Sequence, residues 1–327
     1  MKNSKKAVVL LQFGGPDSLD AVEPFLYNLF CDEDIVQFPL SFLTKKIFAK
    51  LISSTRSKKI KGKYAEMGGK SPIVEQTFEQ QRALQQALDE RYGKDEVYVG
   101  LAMRYWKPYT ASAIEELTKR GITDVVLLPL YAQYSITNAG SSFNEWDREV
   151  KRLGKTFNDR RINEYHADPN YITAFNARID EALKNFSSTD GLHVLFSAHG
   201  TPVDIVKKGD PYSKQIENSM NLIMKNRPEK FKYSLAFQSK VGPKKWLEPS
   251  TDDTVEELAH SGLKKLLVVP ISFVSDHIET VYEIGIETKE EALSDGIEEF
   301  QLVEGLKDSP LFIKTLSELA AKELDSM

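Results

Sequence analysis

The chain has 327 residues, 41% hydrophobic and 28% charged, which suits about two globular domains and excludes global disorder. Its formal net charge of -5 excludes a general nucleic-acid binder, which carries a basic excess. With Cys31 as the single cysteine, no internal disulfide or Cys-based metal cluster can form; a reducing cytoplasm is expected, and no apolar run is long enough for a membrane span. At the start, Met1–Lys6 is basic, and the apolar run Ala7–Leu11 is too short for the core of a secretory leader. Ala7–Phe13 predicts a buried parallel strand, broken by Gly14-Gly15-Pro16. Asp17 or Ser18 then stands where it can cap a helix through Ala21–Phe30.

Residues 41–70 carry nine Lys/Arg and one Glu; a solvated helix pair and a basic surface for an anionic partner both fit. Gln76–Arg91 predicts a helix ending at Gly93, Val97–Met103 a strand, Thr110–Arg120 a helix stopped by Gly121, and Val125–Leu130 an apolar strand. The second half repeats the plan. Tyr171–Asn185 predicts a helix, and Gly191–Ser197 a strand running into Ala198-His199-Gly200-Thr201-Pro202. A helix over Tyr212–Lys225, a strand over Lys232–Phe237, a helix tail over Val255–His260 and a strand over Leu266–Phe273 follow, then a helix from about Asp276. The alternation predicts an α/β fold of two similar Rossmann-like domains, each a parallel sheet flanked by helices, facing one another across an active-site cleft. The domains are expected over 1–150 and 151–309, with an amphipathic helix over 310–327 packing back on the first.

Ligands of such sheets sit at the carboxyl ends of strands, which directs attention to Phe13–Pro16, Ser197–Pro202 and Ser272–Glu287. Of the five histidines, His193 inside a strand and His260 at a helix end read as structural. His199 follows its strand at once and precedes a Gly-x-Pro turn, so the sheet fixes it while a cleft can reach it. Asp276 and Glu279 fit a capping box, the bland reading of both. Glu279, Glu283 and Glu287, spaced i, i+4, i+8, share one helix face. They read either as a solvated stripe or as carboxylates lining a cleft, where close neighbours would raise one another's pKa and relay protons. CxxC and HExxH zinc motifs, a G-x-G-x-x-G fingerprint and a Gly-x-Ser-x-Gly elbow are all missing.

The sequence closely resembles the ferrochelatase family over about its whole length. The resemblance rests on Gln12-Phe-Gly-Gly-Pro16, Phe25-Leu-x-x-Leu-Phe30, Tyr64-x-x-Met-Gly-Gly-x-Ser-Pro-Ile73, Arg104-Tyr-Trp-Lys-Pro108 and Pro129-Leu-Tyr-Ala-Gln-Tyr-Ser135. Its strongest parts are Phe196-Ser-Ala-His-Gly200, Gln238-Ser-Lys-x-Gly-Pro243 with Trp246-Leu-x-Pro249, and Phe273-Val-Ser-Asp-His-Ile-Glu-Thr-x-Tyr-Glu283. It implies an enzyme that inserts Fe2+ into protoporphyrin IX, making protohaem and releasing two protons. The alternatives are the same reaction on coproporphyrin III, a cobalt or nickel chelatase, and a non-catalytic tetrapyrrole or haem carrier on the same fold. It also implies His199 as the catalytic base and Glu279 as its partner carboxylate. His277, Glu283 and Glu287 would continue the metal- and proton-handling line with them, on a helix that in the family has a π-type turn. Met67, Tyr105, Tyr134 and Trp246 would line the porphyrin pocket, with Arg104, Ser135 and Ser141 near or supporting its wall. No organic cofactor is required, and Fe2+ is a substrate. Animal members hold a two-iron, two-sulfur cluster on C-terminal cysteines; with no cysteine after Cys31, that cluster is not expected. Ala65-Glu66 stand where mitochondrial members are often basic, which puts a propionate contact there in doubt. The segment 38–52 resembles the family's apolar lip, and its mix of apolar residues with Lys45, Lys46 and Lys50 suits peripheral contact with a membrane surface.

Overall fold

The computed structural model describes residues 6–35, 42–240 and 244–327. Phe38–Ser41 of the expected lip, and Val241, Gly242 and Pro243 of the Gln238–Pro243 motif, lie outside the described residues. The chain divides into two compact units. One draws on Met1–Tyr131, Ser135–Glu164 and Ile313–Met327, the other on Ala132–Tyr134 and Tyr165–Phe312. The boundary expected at 150 would have cut a helix; the chain leaves the first unit after Glu164.

In the first unit, β1 (Lys6–Gln12), β2 (Val97–Met103), β3 (Asp124–Pro129) and β4 (Asn158–Arg161) form a parallel sheet in the order β2-β1-β3-β4. Every residue of β1 after Lys6 is buried, as a strand covered on both faces requires. The flanking helices are α1 (Val22–Cys31), α2 (Phe42–Glu66), α3 (Ile73–Tyr92), α4 (Thr110–Arg120) and α5 (Ser141–Arg152), the last entered through a short π-helix, π1 (Ile136–Gly140). The basic stretch is therefore one helix, α2, rather than a helix pair. Helix α1 starts later than its expected cap: Ser18 Oγ accepts the Ala21 N–H at 3.2 Å, one turn ahead of Val22.

The second unit repeats this sheet. Strands β5 (His193–His199), β6 (Lys232–Gln238), β7 (Lys265–Pro270) and β8 (Glu299–Leu302) run parallel in the order β6-β5-β7-β8. Helices α6 (Pro169–Leu183), α7 (Val203–Lys207), α8 (Tyr212–Lys225), α9 (Thr251–His260) and α10 (Lys289–Ser294) belong to it, with a ten-residue π-helix, π2 (Glu279–Thr288), before α10. Side chains close the helix starts: Asp168 accepts from the Asn170 and Tyr171 N–H groups ahead of α6, with Pro169 first in the helix, and Ser250 accepts from Asp253 N ahead of α9. Inside this unit Leu195, Ala236, Val255, Leu266, Val268 and Phe300 form one buried cluster. The last helix, α11 (Pro310–Leu324), ends against the first unit's own residues: Lys6 Nζ donates to Leu324 O at 2.6 Å, and Tyr92 Oη donates to Asp325 at 2.7 Å.

The two units share landmarks at their strand ends. Leu130 N donates to Leu11 O at 2.9 Å, as Ile271 N does to Ser197 O at 3.1 Å. Met103 N donates to Pro108 O at 2.7 Å, as Phe237 N does to Pro249 O at 2.9 Å. These registers make Phe13 the positional counterpart of His199, and Arg104 that of Gln238.

Candidate active site

His199 is the last residue of β5, the strand held between β6 and β7. Its backbone N–H donates to Ser272 Oγ at 3.0 Å, which fixes where the side chain leaves the sheet. Gly200 makes the next step possible: a Cβ there would lie 2.7 Å from Gln238 O and 3.3 Å from the Trp246 ring. Chain 200–203 then pairs with the segment around Trp246, through Leu247 N to Thr201 O at 3.1 Å and Val203 N to Lys245 O at 2.9 Å. That pairing brings the Trp246 ring edge-on to the imidazole, centroids 6.5 Å apart, while Phe273 stands 6.3 Å away on another side.

Glu279 opens π2, so its carboxylate sits at the positive end of a helix. Its Oε2 meets His199 Nδ1 at 2.8 Å and also accepts from Ser239 Oγ at 2.8 Å and Gln238 Nε2 at 3.3 Å. Gln238 is oriented in turn by Ser197, whose hydroxyl donates to its Oε1 at 2.7 Å and contacts Thr251 Oγ1 at 2.8 Å. Because Nδ1–H is spent on Glu279, the neutral imidazole carries its free lone pair on Nε2. The side chain of His199 keeps 40% of its surface exposed, so that lone pair is not sealed in the core.

The electrostatics follow from this pairing. Burial disfavours the imidazolium of His199, but the charge and hydrogen bond of Glu279 outweigh it and hold the pKa above the ordinary value. Burial likewise opposes the Glu279 anion, yet His199, His277 and the Ser239 hydroxyl together hold its pKa well below the usual carboxylate range. This corrects the expectation that neighbouring carboxylates would raise one another: donors surround Glu279, so it stays ionised and His199 is the group that titrates.

Glu283 joins through Ser239, whose Oγ also lies 3.3 Å from Glu283 Oε2. Ser239 has φ 67°, a left-handed backbone unusual for a residue with a side chain, at the end of β6. Glu287 is half-buried further along π2. Residues four apart fall nearly above one another on this wider helix, so the carboxylate row survives the change from α to π geometry. The capping-box reading does not hold: Asp276 accepts from Gly305 N at 2.9 Å and pairs with Lys307 at 3.2 Å, and no side-chain cap precedes π2.

His277 acts on Glu279 through charge alone: among the described residues its ring nitrogens have no hydrogen-bond partner, its ring packs on Phe273 with centroids 4.2 Å apart, and burial lowers its pKa. Among the described residues no three His, Cys, Asp or Glu side chains gather as a metal cage.

Tyr134 lies in the same unit, half-buried, with its N–H on Gln215 Oε1 at 2.7 Å; burial and then Asp210 raise its pKa. Met67 and Tyr105 belong to the first unit. Met67 is half-buried in the turn closing α2. Tyr105 is 2% exposed, edge-on to Phe13 and Phe25, with its hydroxyl donating to Asp32. It is a core support, not a surface offered to a flat ligand. Arg104 and Ser141 join that brace, Arg104 reaching Asp32 at 2.7 Å and Ser141 at 3.0 Å. Ser135 caps π1 with Asn138 in a reciprocal box. Reading the sequence gave no role to Ser239, Gln238 or Ser272. The strand-end rule could have found the first two, since they stand at the carboxyl end of β6.

The chain resembles known proteins along its whole length. The ferrochelatase family model matches residues 5–324. A ferrochelatase of Aquifex aeolicus is 48% identical, over 98% of this chain and 100% of that protein. One of Geotalea uraniireducens is 45% identical, over 98% and 99%. Among solved structures, SirB from Bacillus subtilis with Fe3+ aligns with a TM-score of 0.56 at 12% identity, over 98% of both chains, a likeness of fold alone. Matching that family from strand β1 to helix α11, the chain belongs to the ferrochelatase family.

Proposed function

We infer that the protein is a ferrochelatase, inserting Fe2+ into protoporphyrin IX and releasing two protons. The observation that carries the chemistry is the His199–Glu279 pair, which leaves the imidazole Nε2 lone pair unused at a strand end. Free-base porphyrin holds two pyrrole N–H protons, and both must leave as the metal enters. His199 accepts one at Nε2; the ionised Glu279 on Nδ1–H stabilises the imidazolium that forms. The proton passes on toward Glu283 and Glu287, and the regenerated imidazole takes the second. The same carboxylates suit weak, transient contact with hydrated Fe2+, a substrate here rather than a resident ion. Trp246 and Phe273 supply apolar walls beside the base.

An anaerobic insertion assay tests this reading. Purified protein is given protoporphyrin or coproporphyrin with Fe2+, Zn2+ or Co2+, and the loss of free-base absorbance is followed. Saturable loss with Fe2+ is expected; porphyrin binding without any insertion would mark a carrier.

A cytoplasmic location is proposed with it, supported by the single cysteine. Peripheral contact of α2 with an anionic membrane surface is a second proposal, supported by Ile47 and Leu51, 70% and 63% exposed beside the exposed Lys46. Lys45 is less suited to it, being buried and paired with Glu33 at 3.5 Å. Among the described residues no helix is long and apolar enough to cross a membrane. Equal partition into anionic vesicles by the chain and by an Ile47→Ser, Leu51→Ser variant would remove the membrane proposal.

A further inference from the structure

Helix π2 begins without a side-chain cap, yet its first residue, Glu279, holds one oxygen 2.8 Å from His199 Nδ1. The turn between β7 and π2 needs another support, and the loop after β8 supplies it. Val303 N donates to Val268 O at 2.9 Å, which starts this loop along β7. Leu306 is fully buried, and its carbonyl accepts from Arg178 Nη2 of α6 at 3.2 Å. Gly305 and Lys307, on either side of Leu306, face the turn.

Lys307 N donates to Val274 O at 2.9 Å, Lys307 Nζ lies 3.2 Å from Asp276 Oδ2, and Gly305 N donates to Asp276 Oδ1 at 2.9 Å. Both oxygens of Asp276 are thus held, and its side chain keeps 13% of its surface exposed. Gly305 comes so near that a Cβ there would lie 3.1 Å from Ser275 Cα and 3.2 Å from Asp276 N. Lys307 has φ 51°, a left-handed backbone that costs free energy for a residue with a side chain and persists where the surroundings dictate it. Its ammonium also meets the exposed Glu304 at 2.6 Å.

We propose that Lys307 is a positioning residue, which with Gly305 clamps the turn over 274–278 and so holds Glu279 against His199. The consequence for turnover rests on the porphyrin-chelatase reading above. Hydrogen bonds weaken with small losses of distance and angle, so a turn that drifts loosens the contact that keeps the imidazole basic. Besides Glu279, the groups that bear on His199 are Glu283, which attracts the imidazolium, His277, which repels it when protonated, and Tyr212 of α8, which burial keeps neutral. Removing a positive charge at Lys307 would by its field alone raise the pKa of His199; loosening Glu279 lowers it. The sign separates a clamp from a field effect.

The test is NMR titration of histidine-labelled protein, with the His199 resonance assigned through His199→Ala, beside steady-state Zn2+ insertion. The chain is compared with Lys307→Met, Lys307→Arg and Gly305→Ala, each checked for folding by urea unfolding. Methionine removes the charge at the same φ, arginine keeps the charge, and alanine at 305 lifts the loop without altering any charge. In Lys307→Met and Gly305→Ala the His199 pKa is expected to fall, and kcat to drop about three- to ten-fold with KM for porphyrin kept, as for weakening one charged hydrogen bond. Lys307→Arg should restore both. A His199 pKa that stays or rises in either variant would overturn the clamp, whatever happens to turnover. A chain that inserts no metal would sink the chelatase reading, while the titration still decides the clamp.

Discussion

At the carboxyl end of β1 the first unit has Phe13, edge-on to Tyr105 and Phe25. At the equivalent place on β5 the second unit has His199. Nearby, each unit has a carboxylate ringed by donors, and the two rings differ in what they leave over. Asp32 takes Arg104, Tyr105 and Ser141, and these groups are buried and turned on one another. Glu279 takes Ser239, Gln238 and His199, but the imidazole has a second nitrogen facing away from the carboxylate. The same strand order supports a brace in one unit and a base in the other. The fold supplies the address; one ring with two nitrogens supplies the chemistry.

Exchanging these roles gives the sharpest tests. His199→Ala should cut insertion by about 10²–10⁴-fold while porphyrin still binds, the range for losing a general base; fluorescence titration beside turnover separates the two. Phe13→Leu, at the counterpart position, should leave turnover per folded molecule nearly unchanged. If the two variants lost activity equally, the comparison would fail.

Asp32→Ala attacks the brace instead. It takes the nearer of two carboxylates from the buried Arg104, leaving Glu145 at 3.4 Å, and should cost up to about 3–5 kcal/mol of stability, measured by urea unfolding at neutral pH. Burial opposes the Asp32 anion, but Arg104, Tyr105 and the other donors prevail and lower its pKa. A depressed carboxyl contributes stability above its unfolded pKa and loses it as pH falls through the folded one. The gap between chain and variant should therefore narrow in acid.

Glu279→Gln tests whether the second ring controls a base. Without the carboxylate, burial is opposed only by the weaker attraction of Glu283, so the pKa of His199 should drop. The acid limb of kcat/KM, which reports the free enzyme, should then move to lower pH. The plateau should fall about tenfold or more, since the imidazolium loses a charge-assisted hydrogen bond. A limb that stays in place while activity falls would show that Glu279 acts on something other than His199.

Much of this was legible in residue order. The central strands are apolar runs buried on both faces, and their ends marked His199. Edge strands β4 (Asn-Asp-Arg-Arg) and β8 (Glu-Phe-Gln-Leu) were not, because pairing with β3 and β7 forms them rather than any pattern of their own. Helix π1 went unread, as the 3.6-residue period is blind to a π turn. Spacing placed Glu279 on the right face, but only the folded chain brings it to His199, eighty positions away. His277 and Tyr105 could not be placed from sequence, since nothing local says whether a ring turns onto Phe273 or into the core.

The smallest effect is expected at Ser239, whose hydroxyl reaches both Glu279 and Glu283. Ser239→Ala removes a neutral donor from a carboxylate that keeps Gln238 and His199, so about 1 kcal/mol is at stake, less than a tenfold change in turnover. The direction of the pH shift is the informative part. Losing this donor makes the Glu279 anion a better acceptor for the imidazolium, so the pKa of His199 should rise and the acid limb should move up, opposite to Glu279→Gln. The residue's positive φ also needs control, because alanine pays for that backbone as serine does. Ser239→Gly relaxes it while removing the same hydroxyl. If both variants move the limb upward alike, Ser239 acts through its hydrogen bond. If only one does, its part is to turn the chain at the end of β6.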